Sequence, residues 1–155
     1  MVERVDRDRV LGFWEDEFGV PRDAFEDHAF YKKGESKVWA VASETVDGLG
    51  GGETLDDLDY ESVGLPLMRV GGEHDKPTTD ALQRFGGAAT RKVVDVGDDA
   101  ARAFLRGETV ERGYDVEDLG YVVVRHEGRV LGCGLYFPGE LRSQVPKGRR
   151  VELVL

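Results

Sequence analysis

Hydrophobic positions near the N-terminus fall three and four residues apart. Val10, Leu11, Trp14 and Phe18 line one face of a predicted helix over residues 7–18, with acidic residues between them. Gly19 stands where a helix C-cap is expected, and Pro21 opens a short second helix reaching Phe25. Residues 30–42 then predict a β-hairpin that turns at Lys33-Gly34. Residues 47–60 read as loop, with a flexible glycine run at 48–52 and a helical turn at most at 55–58. The stretch 63–70 predicts a strand interrupted by Pro66, hence an edge strand or a bulge. Gly71-Gly72 marks a candidate hinge. Beyond it, the hydroxyls of Thr78 and Thr79 precede a helix over 81–85 that Gly86-Gly87 stops, and Asp80 suits the dipole of its first turn. Residues 92–96 predict a strand. Asp98 is expected to cap a helix over 99–105 that Gly107 ends. A closing hairpin has arms at 121–124 and 130–135 and turns at Glu127-Gly128.

Charge changes this picture. The 155-residue chain carries a formal net charge of −10, with Asp and Glu nearly equal and Arg far outnumbering Lys. A phosphate binder normally carries a positive field. An acidic, Lys-poor coat fits a protein working in concentrated salt, where screening shortens electrostatic reach to ~3 Å at 1 M. Cys133 is the single cysteine, so neither an intrachain disulfide nor a cysteine metal cluster forms. The start of the sequence is charged and no run approaches the ~20 apolar residues of a membrane span. These features predict a soluble, cytoplasmic protein with no membrane contact. They leave the oligomeric state open.

The sign of the charge reverses locally. Arg142, Lys147, Arg149 and Arg150 cluster near the C-terminus, with Arg125 and Arg129 on the hairpin just before them. Guanidinium forks pair two-pronged with phosphates and stack on bases. Ser143 and Gln144 add neutral hydrogen-bonding groups, and Pro146 and Gly148 shape the turn that presents the cations. The plain alternative is a solvated tail with chance charges. Lys76, Thr78, Arg84, Arg91 and Lys92 form a second cationic patch around a helix start, where backbone N–H groups can hold an anion; ordinary capping explains the hydroxyls equally well. Gly132 and Gly134 alternate within one strand, which suits close approach of a ligand or tight internal packing. The glycine run at 48–52 lacks the Lys-Ser/Thr of a phosphate loop and reads as a linker. His28, His74 and His126 are far apart in sequence and match no metal-ligand spacing. Paired acids such as Asp56-Asp57 and Asp98-Asp99 fit the acidic coat, and mid-strand Cys133 reads as a structural thiol.

Three motifs of the second half resemble a known module. They are Lys76-Pro-Thr-Thr-Asp-Ala-Leu-Gln-Arg-Phe-Gly86, Ala89-Thr-Arg-Lys-Val-Val94, and Gly132-Cys-Gly-Leu-Tyr136 followed by Leu141-Arg-Ser-Gln-Val-Pro-Lys-Gly-Arg-Arg150. Together they are similar to the PUA-like RNA-binding module attached to archaeal Nop/Sun (RsmF-type) RNA cytosine-C5 methyltransferases. Phe18-Gly-Val-Pro-Arg22 and Tyr31-Lys-Lys-Gly34 leading to Val38-Trp39 resemble the small segment preceding that module. The resemblance implies an α+β fold: a small N-terminal α/β subdomain (residues 1–72) followed by a PUA-like mixed-strand pseudo-barrel (residues 73–155). It implies RNA contact by Arg142, Ser143, Gln144, Lys147, Arg149 and Arg150, and more weakly by Lys76, Thr78, Arg84 and Arg91.

A methylase half is missing from the sequence: there is no glycine-rich methyl-donor loop and no Pro-Cys or Thr-Cys nucleophile motif. The expectation is therefore a non-catalytic module without cofactor or metal. It would bind and position rRNA or tRNA during modification or processing, alone or beside a separate RNA methyltransferase. An adaptor that docks such an enzyme is the alternative. A small hydrolase or transferase ranks lower, because no nucleophile–base pair is visible.

Overall fold

The helical spacing at the N-terminus produces α1 (Arg7–Phe18) in the computed structural model, which describes residues 2–47, 64–116 and 119–147. The Asp6 side chain caps its start by accepting from the Asp8 amide. Gly19 ends it at φ 66°, with the Gly19 and Val20 amides closing onto the Glu15 and Trp14 carbonyls. A Cβ at Gly19 would sit 2.0 Å from Thr90 Oγ1, so the position admits only glycine. A short 3-10 turn, Arg22–Phe25, follows Pro21.

The first sheet is antiparallel, in the order β1 (Val2–Arg4), β2 (His28–Lys33), β3 (Lys37–Ala42), β4 (Gly64–Arg69) and β5 (Lys76–Pro77). The predicted hairpin is β2–β3. The short β1 gives no periodic signal of its own and forms by pairing with β2. Pro66 sits at the expected bulge: Val38 faces Met68 but Trp39 faces Pro66, which leaves Leu67 extra. The one-turn helix α2 (Ser43–Asp47) follows β3. The glycine run at 48–52 and the turn at 55–58 lie outside the described residues. Gly71-Gly72 lies in the connection between β4 and β5.

After β5 the chain forms α3 (Thr79–Phe85), followed by a 3-10 turn at Gly86–Ala88. The second sheet is mixed. In it β6 (Val93–Asp95) runs parallel to β7 (Gly120–His126), and β7, β8 (Arg129–Phe137) and β9 (Glu140–Ser143) are antiparallel. The helix α4 (Asp98–Leu105) lies between β6 and β7 in the chain. Two expectations are corrected here. Gly97 is the N-cap of α4, and Asp98 is already helical, with its carboxylate 3.2 Å from His126 Nε2 instead of on the backbone. The segment after Gly139 is strand β9, not a tail: Gly139 turns at φ 81°, and Leu141 is buried between Tyr136 and Val110.

The apolar runs of β7 and β8 are explained by burial on both faces of the second sheet. Val123 and Cys133 join Trp14, Phe25, Val38, Met68, Leu82 and Phe85 in the larger core between the sheets and helices α1 and α3. Val122, Val124, Tyr136 and Leu141 pack on Ala101, Phe104 and Leu105 of α4. Tyr31, Trp39 and Val41 form a small cluster on the other face of the first sheet. The result is an α+β molecule with two packed sheets. Among the described residues, no helix is long and apolar enough to cross a membrane.

Candidate nucleic-acid interface

The first sheet gathers positive charge at one corner. Lys37 on β3 lies opposite Arg69 on β4, and Arg69 lies opposite Lys76 on β5. Directly paired residues project to one face of a sheet, so the three cations stand in a row across three strands. Lys33 on β2 continues the row beside Lys37. Like charges placed opposite one another destabilise a sheet. Yet Lys37, Arg69 and Lys76 have no carboxylate partner among the described residues. Lys37 instead lays its ammonium 4.7 Å from the centre of the Trp39 ring.

This row forms one wall of a groove of about 270 Å³, lined by Lys37, Arg69 and Lys76 together with Thr78, Asp80, Gln144 and three prolines, Pro66, Pro77 and Pro146. The segment after β9 adds Gln144 and Pro146 to the lining. Lys76 Nζ donates to Gln144 Oε1 at 2.9 Å and sits 5.6 Å from the Tyr121 ring centre. The Gln144 backbone is fixed by its amide, which donates to the Cys133 carbonyl at 2.9 Å. The floor is the start of α3. Thr78 Oγ1 accepts from the Ala81 amide at 3.0 Å and donates to the Pro66 carbonyl at 2.5 Å, which ties the helix to β4. Thr79 seats the same turn on β8 by accepting from the Cys133 amide at 3.1 Å. Asp80 is the carboxylate in the lining. Three cations against one carboxylate make this corner positive on an anionic body.

Lys76 and Thr78 of one predicted patch and the neutral Gln144 and Pro146 of the other therefore line one groove, whereas Arg142, Lys147, Arg84, Arg91 and Lys92 do not. Residues 91–151 match the family described as the methyltransferase RsmF PUA domain. The C-terminal part of this chain is a PUA-like domain of RsmF type. Residues 1–50 match a family of unknown function, DUF7122, and neither match describes a methylase. No curated protein matches the chain. The PUA-like domain thus supplies Gln144 and Pro146 to the groove, the N-terminal family region supplies Lys37, and the segment between the matches supplies Arg69, Lys76 and Thr78.

The other predicted residues are placed differently. Lys147 is exposed and follows the groove residue Pro146. Ser143 turns inward: its hydroxyl donates to the Phe104 carbonyl at 2.7 Å and accepts from the Val145 amide, pinning β9 to α4. Arg142 pairs with Glu140 at 2.9 Å and covers the Phe137 ring, outside the groove lining. On the hairpin, Arg125 is held two-pronged by Asp95. Arg84 is exposed on α3 with its guanidinium over Phe85. Arg91 donates to the Asp16 carbonyl at 2.8 Å beside the end of α1. Arg149 and Arg150 lie outside the described residues.

Internal packing accounts for the alternating glycines of the PUA-like domain. A Cβ at Gly132 would meet the Thr79 side chain at 2.8 Å, and one at Gly134 would meet Leu141 at 2.7 Å and Val124 at 2.8 Å. Cys133 between them is fully buried, and desolvation pushes its thiol up to about 12, so it holds no reactive thiolate.

Lys37 and Arg69 are absent from the sequence-predicted set. Their one signal is a basic residue at the start of one strand and at the end of another. That signal becomes a site only when β3 and β4 pair in this register.

Proposed function

We propose that this protein is a non-catalytic RNA-binding module that serves rRNA or tRNA modification or processing by binding and positioning structured RNA. The observation that carries the reading is the groove joining the cation row of the first sheet to Gln144 of the PUA-like domain. Lys37, Arg69 and Lys76 grip phosphate oxygens, and the Gln144 amide and exposed backbone groups engage sugars or unpaired bases. In concentrated salt the counterion-release contribution to affinity shrinks steeply. A compact groove offering short-range hydrogen bonds then does what a broad positive field does in dilute buffer. Lys147, Arg149 and Arg150 extend the grip from the chain segment beyond Pro146.

Filter binding of the full chain to structured rRNA fragments and tRNA tests this. Arg69→Ala with Lys76→Ala is expected to weaken binding at least tenfold, about 1.4 kcal/mol. The slope of log affinity against log salt should fall by about one per phosphate contact removed. Arg149→Ala with Arg150→Ala should produce a separate loss of the same order. Unchanged affinity in both double variants rejects the site.

Exposed Leu119 and Phe137, at 52% and 38%, favour a second reading in which the protein docks a separate RNA-modifying enzyme. They border a cavity of about 710 Å³ that Phe13, Tyr121 and Leu135 also line. Under that reading Phe137→Ser abolishes association with a purified RNA methyltransferase and leaves RNA affinity intact.

A further inference from the structure

Three groups with metal-ligand chemistry meet where α4 starts beside the turn of the β7–β8 hairpin. His126 closes β7 and is 7% exposed. Its Nδ1 lies 2.9 Å from the Val96 carbonyl oxygen. Only an N–H faces a carbonyl oxygen at that distance, so the hydrogen is on Nδ1 and Nε2 is left to point away from the backbone. Nε2 makes no hydrogen bond, although Asp98 Oδ1 is 3.2 Å away and Glu127 Oε2 is 4.0 Å away. A nearly buried nitrogen thus faces two carboxylates that lie off its own bonding direction.

That geometry suits a shared cation better than a hydrogen bond. When a metal takes the nitrogen lone pair, its other ligands stand to the side of that axis. Metal bonds of ~2.0–2.2 Å to imidazole nitrogen and carboxylate oxygen separate the ligand atoms of a tetrahedron by roughly 3.3 Å. The Nε2–Oδ1 separation of 3.2 Å already matches, and the donor atoms of all three residues lie within 4.8 Å of one another. Glu127 is exposed, so its carboxylate is free of packing that would hold it at 4.0 Å from Nε2, and its approach closes the two remaining edges. The Nδ1–H bond to Val96 supplies the outer partner that orients a ligating histidine. One imidazole with two carboxylates suits zinc and its first-row neighbours better than magnesium or calcium.

We propose that Asp98, His126 and Glu127 bind one divalent transition-metal ion, with water completing its coordination, and that this ion staples the first turn of α4 to the β7–β8 turn. The site is separate from the groove and independent of RNA binding. The competing description is a plain His126–Asp98 ion pair.

Isothermal titration of zinc chloride into the full chain separates the two. The expected result is one ion bound, with affinity falling at least tenfold, about 1.4 kcal/mol, in Asp98→Asn and in His126→Gln. Zinc should raise the melting temperature of the parent chain and leave that of Asp98→Asn unmoved. RNA affinity should stay the same in both variants. Asp98 is exposed, so Asp98→Asn keeps the test readable even where His126→Gln perturbs folding. Absence of binding up to about 1 mM zinc, a free-energy scale of roughly 4 kcal/mol, overturns the proposal. Binding that survives both substitutions overturns it as well, and a zinc-silent protein in which Asp98→Asn alone lowers stability assigns the cluster to the ion pair.

Discussion

His28 shows how a single side chain acquires a property its sequence context hides. Burial holds its folded pKa below the ordinary 6.5, and the guanidinium of Arg84 pushes it further down. Its ring meets Phe85 edge-on at 5.4 Å, and Nδ1 has no hydrogen-bond partner. With the folded value lower than the unfolded one, the unfolded chain takes up the proton first as pH falls. This contribution to stability is therefore full above about pH 6.5 and is lost on acidification toward the folded pKa. Denaturant unfolding at a series of pH values should show stability declining from pH 7 to 5. His28→Gln should flatten that part of the profile, and Arg84→Gln should make it shallower. An unchanged slope in His28→Gln would assign the decline to carboxylates.

Among the elements, α3 decides whether the groove exists. Thr78 caps the helix and binds the Pro66 carbonyl, Thr79 binds the Cys133 amide, and Gly132 makes room for the Thr79 side chain. These contacts clamp β5, with Lys76, between β4 and the strands of the PUA-like domain. Capping hydroxyls typically contribute ~1 kcal/mol, up to about 2. Thr78→Ala is expected to cost 1–2 kcal/mol by this measure, read as a lower denaturation midpoint at unchanged m-value, and also to weaken RNA binding by loosening Lys76. Thr78→Ser should restore both, because the hydroxyl is what the turn uses. The sequence identifies the Thr78 hydroxyl as a cap, but not the carbonyl of Pro66, twelve residues earlier, as its second partner.

For the molecule as a whole, charge is sorted by structure. Arg22 pairs with Asp8 and Glu15, Arg9 with Asp75, Lys92 with Glu17, Arg125 with Asp95 and Arg142 with Glu140. Such mostly exposed pairs each contribute about 0–1 kcal/mol. They do remove local positive field, so the groove stands out against a body of net charge −10. Self-repulsion of the remaining acids is screened in salt. Thermal unfolding should therefore show a melting temperature that rises from dilute buffer to molar KCl. Equal melting temperatures in the two would mean that the acidic coat is not an adaptation to salt.

Local chemistry alone determined much of this protein. The apolar spacing of Val10, Leu11, Trp14 and Phe18 required α1, Gly19 its end, Pro66 an edge strand or a bulge, and the apolar runs around Glu127-Gly128 a hairpin, because each depends on neighbours a few residues away. The PUA-like character of the C-terminal part was legible in the same way, as short motifs. Tertiary structure alone decided which cations act together. Lys37, Arg69, Lys76 and Gln144 are far apart in the chain and converge only through strand pairing and the seating of α3. Arg142 and Arg125, conspicuous in the sequence, are drawn to nearby carboxylates. Asp98 and His126 meet across the β6–α4–β7 crossover. Pairing partners are chosen by the packing of whole sheets, and no local pattern encodes that choice.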